Sequence, residues 1–451
     1  MSTRINADMR QAAIEAGQLA VVVGAGLSGL AAVRLLHRLG ARVRLLERSA
    51  SRISDDFAAW ARESGVEIVC GEHKPEYFAG ARIVVPSPGV PAALIRKFLP
   101  ERDAPEIMAE TELAWRQLEG EPVLGVTGTS GKTTTTSLCS AMLREAGLKV
   151  FTGGNIGTPL SEYILAREKT GRVDVVVLEL SSFQLQTCST LHPHVAVLLN
   201  ISENHLDYHK DMAEYTGAKM RLFMHQTSED LAVLQEGMDS LADSYGVRAR
   251  RVFYTVSQRF PKMQLLGPHN RANAEAAWLA CREFGISEEA AARAVAAFLP
   301  IEHRLEKVAE LNGVLYVNDS KCTTVEALRV ALNSFDRPVA LLAGGKFKGG
   351  DLESLIPLLR EHVRRVALYG ASREHFEPAW KDVVPVTWDE TLELAMRRLT
   401  GRGVDGVSGK SLVQPGDVVL LAPATSSFDQ YANYLRRGED FRRIVKEVIA
   451  C

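Results

Sequence analysis

The stretch EPVLGVTGTSGKTTTTSLCSAMLREAG constrains the fold of this chain most. An apolar run, a glycine turn closed by Lys132 and a helical pattern follow one another without a break. A strand feeding a glycine loop and then a helix opens a β-α-β unit, and backbone N–H groups at the helix start gather around an anion on the loop. Gly128, Thr129, Ser130, Gly131 and Lys132 would cradle a triphosphate, with Lys132 as a point charge on the outer phosphates and Thr133 or Thr134 offering a hydroxyl to Mg²⁺. The strict G-x-x-x-x-G-K pattern asks for glycine where Val126 stands, so a ligand-free threonine-rich turn is the competing reading.

The same grammar occurs earlier. LAVVVGAGLSG, then SGLAAVRLLHRLG at helical period, then ARVRLLE form a β-α-β unit, with Gly24, Gly26 and Gly29 in G-x-G-x-x-G spacing and Glu47 ending the second strand. A dinucleotide, another nucleotide and a purely structural turn all remain open for this motif. VEIVC and ARIVVPSPGV suit further parallel strands, DVVVLEL and PHVAVLLNIS continue the second block, and PVALLAGG, RRVALYG and GDVVLLAPA follow a hairpin-like KVAELNGVLYVND. At 451 residues the chain exceeds one hydrophobic core. The expectation is an α/β protein of three domains, residues 1–109 and 301–451 Rossmann-like and residues 110–300 a P-loop domain with a mostly parallel sheet, parted near Ala109 and Pro300.

A formal net charge of −2 provides no field for nucleic acid or an anionic membrane, so anions must be caught locally. The six cysteines show no C-x-x-C pair, which argues against a zinc site or disulfide framework and for a reducing compartment. The start, MSTRINADMRQAAIEAG, lacks an apolar signal core, and no apolar run suffices to span a bilayer.

Glu179 closes DVVVLEL, where open α/β sheets bind ligands, and is read either as an acid holding a metal or as a salt-bridged strand end. NISENHLDYH places His205, Asp207 and His209 in a polar loop on the same edge, read either as metal or phosphate groups or as plain surface histidines. Lys219, read blindly, is a solvated helix lysine.

TGTSGKTTTT, GGNIGTP, ELSSFQL, NISENHLDYH, HNRANAEAA, EHRLE, NDSKCTT and SSFDQY, in this order, resemble the Mur ligases; GGNIGTP, ELSSFQL and SSFDQY resemble the D-glutamate-adding branch. The resemblance implies a cytoplasmic, monomeric ATP-dependent ligase of peptidoglycan precursor synthesis. It would join D-glutamate to UDP-N-acetylmuramoyl-L-alanine through an acyl phosphate. By the same resemblance Leu27 and Ser28 meet the pyrophosphate, Glu47 and Arg48 lie near the uridine, and Ser87, Pro88 and Gly89 close that pocket.

The resemblance further implies that Asn155 and His205 orient the substrate carboxylate. Asn270 and Asn273 hold adenine, Arg304 meets the transferred phosphate, and Asp319 and Lys321 contact ATP. Thr323, Lys348, Ser427 and the Tyr434 backbone hold D-glutamate. Two Mg²⁺ would be bound by Thr133, Glu179, His205 and Lys219, the last as a carbamate formed with CO2. Against the family's usual residues, Glu47 stands for Asp, Ser130 and Thr324 for Asn, and Lys346 for an acid.

Three other readings compete. A sibling Mur ligase or folylpolyglutamate synthase shares the loop, but the D-N-P-R stretch typical of the diaminopimelate-adding sibling is absent. An NAD-dependent dehydrogenase built on GAGLSG leaves the P-loop unexplained. A catalytically dead nucleotide-binding partner is disfavoured by the charged site residues, all of which are present.

Overall fold

The computed structural model describes residues 14–203, 208–299, 302–402 and 409–450. Asn204, His205, Asp207, Pro300 and Cys451 therefore lie outside the described residues, as does most of the N-terminal stretch.

The first sheet contains β1 (Leu19–Val23), β2 (Arg42–Glu47), β3 (Glu67–Cys70), β4 (Ala81–Pro86) and β5 (Glu106–Ile107), in the order β3-β2-β1-β4-β5. All its pairs are parallel. The β1 run LAVVV is buried on both faces, as a central parallel strand covered by helices requires.

The second sheet is built from β6 (Val123–Thr127), β7 (Val150–Gly154), β8 (Val175–Glu179), β9 (Val195–Leu198), β10 (Leu231–Gln235) and β11 (Arg250–Tyr254), in the order β11-β10-β9-β6-β8-β7. It is also wholly parallel. From central β6 the chain goes to one side for β7 and β8 and to the other for β9 to β11. The order thus reverses at β6, and the loops after β6, β8 and β9 meet where such sheets bind ligands.

The third sheet has β12 (Glu306–Leu311), β13 (Val314–Asn318), β14 (Val339–Gly344), β15 (Val363–Tyr369), β16 (Val386–Asp389) and β17 (Val418–Leu421), in the order β12-β13-β17-β14-β15-β16. Only the β12–β13 hairpin is antiparallel.

The α/β class expected from the sequence is the one observed. By contact density the chain forms two compact units, residues 1–260 with 272–295, and residues 261–271 with 296–451. One continuous core runs through the first two sheets, joining Val22 and Leu45 to Trp115, Leu178 and Leu198. Among the described residues no helix is long and apolar enough to cross a membrane.

Candidate functional site

The loop after β6 is shaped by two glycines in conformations that side chains resist. Gly128 has φ +153° and Gly131 φ +83°. A Cβ on Gly128 would lie 2.9 Å from Leu199 Cβ, and one on Gly131 2.5 Å from Asn273 Oδ1. Between them, Thr129 donates its N–H to the Asn200 carbonyl (2.9 Å) and Ser130 donates its N–H to Asn200 Oδ1 (2.8 Å). Because Ser130 is held here through its backbone, serine serves where the family commonly has asparagine.

The helix Lys132–Glu145 starts on this loop. Lys132 Nζ donates to the carbonyls of Gly128 and Thr129, both at 2.9 Å. Thr133 is half-buried at the loop, whereas Thr134 is buried in the fold, so Thr133 is the hydroxyl better placed for an ion.

Glu179 ends β8 next to this loop, since Val126 and Glu179 are register partners. Its side chain is buried: Oε1 accepts from Asn155 Nδ2 (2.8 Å), and Oε2 has no hydrogen-bond partner among the described residues. The Asn155 N–H also donates to the Glu179 carbonyl (2.8 Å), locking GGNIGTP onto the strand end. A buried carboxylate oxygen without a donor is costly unless a ligand completes it. The salt-bridged alternative for Glu179 finds no cation partner among the described residues.

Lys219 departs most from its blind reading. On the helix Met212–Met220 it is 1% exposed rather than solvated. Nζ donates to the Gly128 carbonyl (2.8 Å) and lies 4.5 Å from the Tyr215 ring centroid. Burial, then the charge of Lys132, lowers its pKa from 10.5 to about 7. Tyr215, which the sequence did not single out, has its hydroxyl 3.0 Å from Thr129 Oγ1.

His209 also departs from expectation. It is buried rather than in an open polar loop, with Nε2 2.9 Å from Ser182 Oγ and its ring stacked on Phe183. His205 lies outside the described residues. Among the described residues no three His, Cys, Asp or Glu side chains are gathered to hold a metal. Glu179 beside a phosphate loop suits Mg²⁺ nonetheless, because that ion commonly takes one or two carboxylates together with substrate phosphates and water.

In the first sheet, Ser87 Oγ donates to the Gly24 carbonyl (3.0 Å), and a Cβ on Gly29 would overlap that carbonyl oxygen. The helix Leu27–Arg38 has no side-chain cap, so the amides of Leu27 and Ser28 are offered at the loop. Glu47 Oε2 accepts from Ala25 N–H (2.7 Å) and Oε1 from Ser49 N–H (3.1 Å). Burial raises its pKa, but these amides and Arg52 outweigh that and hold it below the usual range. Glu47 thus braces the loops after β1 and β2 while Arg48 is exposed; Ser87 and Pro88 are half-buried and Gly89 exposed at the β4 end.

Within the second unit, Arg304 is exposed between buried His303 (φ +61°) and Leu305 (φ +44°). Two buried residues with left-handed backbone, one on each side of an exposed arginine, make a strained arrangement of the kind found at functional sites. Asp319 accepts from the Leu305 N–H (3.2 Å), and Lys321 donates its N–H to the His303 carbonyl (3.0 Å), so the three expected charged groups are brought together. Burial pushes the Asp319 pKa up to about 6, although Arg304 and Lys321 pull it down.

Thr323 is half-buried and Ser427 buried. Lys348 Nζ lies 5.5 Å from the Phe428 ring centroid, and Lys346 is tied by its backbone to Ser426, which gives it a structural place. Thr324 caps the helix Val325–Leu332, accepting from Ala327 N–H. The Tyr434 carbonyl accepts from Ser320 Oγ (2.8 Å). Sequence reading missed Arg437, fully buried and donating to the carbonyls of Ser320 and Thr425. Asn270 Nδ2 donates to the Leu266 carbonyl (2.7 Å), and Asn273 lies against Gly131 in the first unit.

A glycine loop with its lysine at the order reversal of a parallel sheet, flanked by a buried carboxylate, defines a P-loop nucleotide-binding enzyme. Residues 126–259 match the family model of the Mur ligase middle domain, and residues 18–97 that of the Mur ligase MurD-like N-terminal domain. A UDP-N-acetylmuramoylalanine–D-glutamate ligase from Nitratidesulfovibrio vulgaris (strain DP4) is 62% identical over 435 residues, covering 96% of this chain and 98% of that protein. The namesake from Oleidesulfovibrio alaskensis is 60% identical, covering 96% and 95%. The crystal structure of MurF from Acinetobacter baumannii shares the fold at 16% identity, with a TM-score of 0.55 over 98% of this chain and 92% of that one. The chain belongs to the family of UDP-N-acetylmuramoylalanine–D-glutamate ligases. As a Mur ligase it is an ATP-dependent enzyme of peptidoglycan precursor synthesis.

Proposed function

We propose that this chain joins D-glutamate to UDP-N-acetylmuramoyl-L-alanine, with ATP converting the alanyl carboxylate into an acyl phosphate. The observation that carries the reading is the buried Glu179 carboxylate beside the P-loop, one oxygen held by Asn155 and the other without a protein partner. A carboxylate is a poor electrophile. Its oxygen attacks the γ-phosphorus and ADP leaves; the D-glutamate amine then attacks the acyl carbon, and phosphate departs as the amide forms.

Lys132 and the loop amides of residues 128–134 neutralise charge on the outer phosphates, a preorganised contribution of roughly 3–4 kcal/mol per donor. Thr133, Glu179, His205 and Lys219 would hold two Mg²⁺, which supply positive charge to the phosphate oxygens when bound. We assign Lys219 as the carbamate former. A neutral amine is needed to attack CO2, giving the N-carboxylate and releasing one proton, and the depressed pKa supports that state. The product replaces a Lys219–Lys132 repulsion with an attraction.

The remaining assignments follow the sequence. Asn155 orients the alanyl carboxylate. Leu27, Ser28, Glu47, Arg48, Ser87, Pro88 and Gly89 form the UDP pocket. Asn270 and Asn273 are assigned to adenine, Arg304, Asp319 and Lys321 to the phosphates of ATP, and Thr323, Lys348, Ser427 and the Tyr434 backbone to D-glutamate. We assign the three sheets to domains 1–109, 110–300 and 301–451. We further propose a cytoplasmic monomer, a compartment in keeping with the described cysteines, which are all free. Phosphate release from ATP with UDP-N-acetylmuramoyl-L-alanine, measured with and without D-glutamate, tests the reading. Turnover that needs both acceptor substrates supports it, and turnover with another amino acid in preference to D-glutamate overturns it.

A further inference from the structure

Beyond the strand ends that carry Glu47 and Ser87, the first sheet presents a third at its ligand-facing edge, that of β3. Cys70 is the register partner of Glu47, and Gly71, turning at φ +112°, donates its N–H to the Glu47 carbonyl (3.0 Å). The chain therefore leaves β3 alongside the loop after β2, and His73 follows two residues later.

His73 is half-buried and braced. Its ring meets Phe98 edge-on, with centroids 6.3 Å apart and planes at 78°, and Phe98 is stacked on buried Phe78 at 5.8 Å. Burial and then the nearby charge of Arg48 hold the imidazole below its usual pKa, opposed by Glu47. Among the described residues its ring nitrogens have no hydrogen-bond partner. Glu47 is not bonded to it: the Glu47 oxygens accept from the amides of Ala25 and Ser49.

We infer that His73 is a further substrate-binding residue, giving one ring nitrogen, as N–H donor or as acceptor, to the uracil edge of the UDP moiety. This rests on the reading of the first sheet as the UDP pocket. Uracil alternates carbonyl acceptors with an N–H donor. The ring nitrogen of a neutral imidazole that faces the base can complement either, according to the tautomer, while an ammonium or guanidinium offers donors only. The pyrophosphate is left to the helix N-terminus at Leu27 and Ser28, so His73 is free to read the base.

Calorimetric titration of the full chain with UDP and with ribose 5-diphosphate tests this. His73→Ala weakens UDP binding by about five- to tenfold, the range of one neutral hydrogen bond. Ribose 5-diphosphate binding stays within about twofold, because that ligand has no base for His73 to contact. His73→Gln, which keeps one donor and one acceptor, stays within about threefold of the parent for UDP. Equal weakening of both ligands, or no weakening of either, overturns the inference. A parent protein that does not distinguish UDP from ribose 5-diphosphate overturns the UDP-pocket reading itself, and the inference with it.

Discussion

Replacing Lys219 by methionine should make the protein more stable and inactive, a combination that separates the cost of burying this amine from its use. The fall in its pKa from 10.5 to about 7 corresponds to roughly 4–5 kcal/mol against the charged form. Losing the bond to the Gly128 carbonyl offsets about 1–3 kcal/mol, so Lys219→Met should gain roughly 1–4 kcal/mol at pH 6 in CO2-depleted buffer. The sign of the pH dependence follows from proton counts. Between about pH 7 and 10.5 the unfolded chain carries a proton on Lys219 that the folded chain has shed. The parent therefore gains stability through that window and the advantage of the variant narrows. Urea unfolding at pH 6 and pH 9.5, read as the midpoint of the transition of the first unit, measures the difference. Phosphate release measures the function, and short carboxylic acids should partly restore activity to Lys219→Ala by occupying the vacated space. A variant that is less stable than the parent at pH 6, or that turns over at the parental rate, refutes the reasoning.

Lys132→Ala should lower ATP turnover by at least about a hundredfold while UDP-substrate binding, measured by calorimetry, holds. Gly131→Ala should cost roughly 1–2 kcal/mol from φ +83° alone and should raise the ATP KM, because its Cβ would meet Asn273 at 2.5 Å. Lys348→Ala should raise the D-glutamate KM by about 10- to 100-fold with little change for ATP, the range of one lost charge-assisted hydrogen bond. Asp230 is desolvated, which raises its pKa, but His192, His194 and the Thr227 N–H more than reverse that. Asp230→Asn should therefore destabilise the chain at neutral pH, and the difference should begin to close below about pH 4, where the unfolded chain's Asp230 takes up a proton, closing fully only at the lower pH that protonates the folded carboxylate; a pH-independent difference in urea midpoint would argue against this.

What the sequence made legible were features with a backbone cause. A glycine loop after an apolar run admits few geometries, and the loops at Gly24 and Gly131 were readable because no other residue tolerates those approaches. Strand runs buried on both faces were equally plain. Burial set by distant parts of the chain was not. Lys219 sits at one position of a short helix whose pattern offers no reason to bury an amine; the Gly128 carbonyl that receives it is 91 residues away. His209 reads as a loop histidine until Phe183 and Ser182 are folded against it. Arg437 lies in the polar run YLRRGED, yet it is the residue that donates to Ser320 and Thr425 and so fixes two loops of the third sheet. In each case the energetic reason for the residue lies in partners that helix or strand periodicity cannot name. The family resemblance reached Lys219 and not Arg437. Reaching Arg437 took the physical test of a buried guanidinium satisfied by carbonyls, which marks a group whose removal would leave several acceptors unpaired at once.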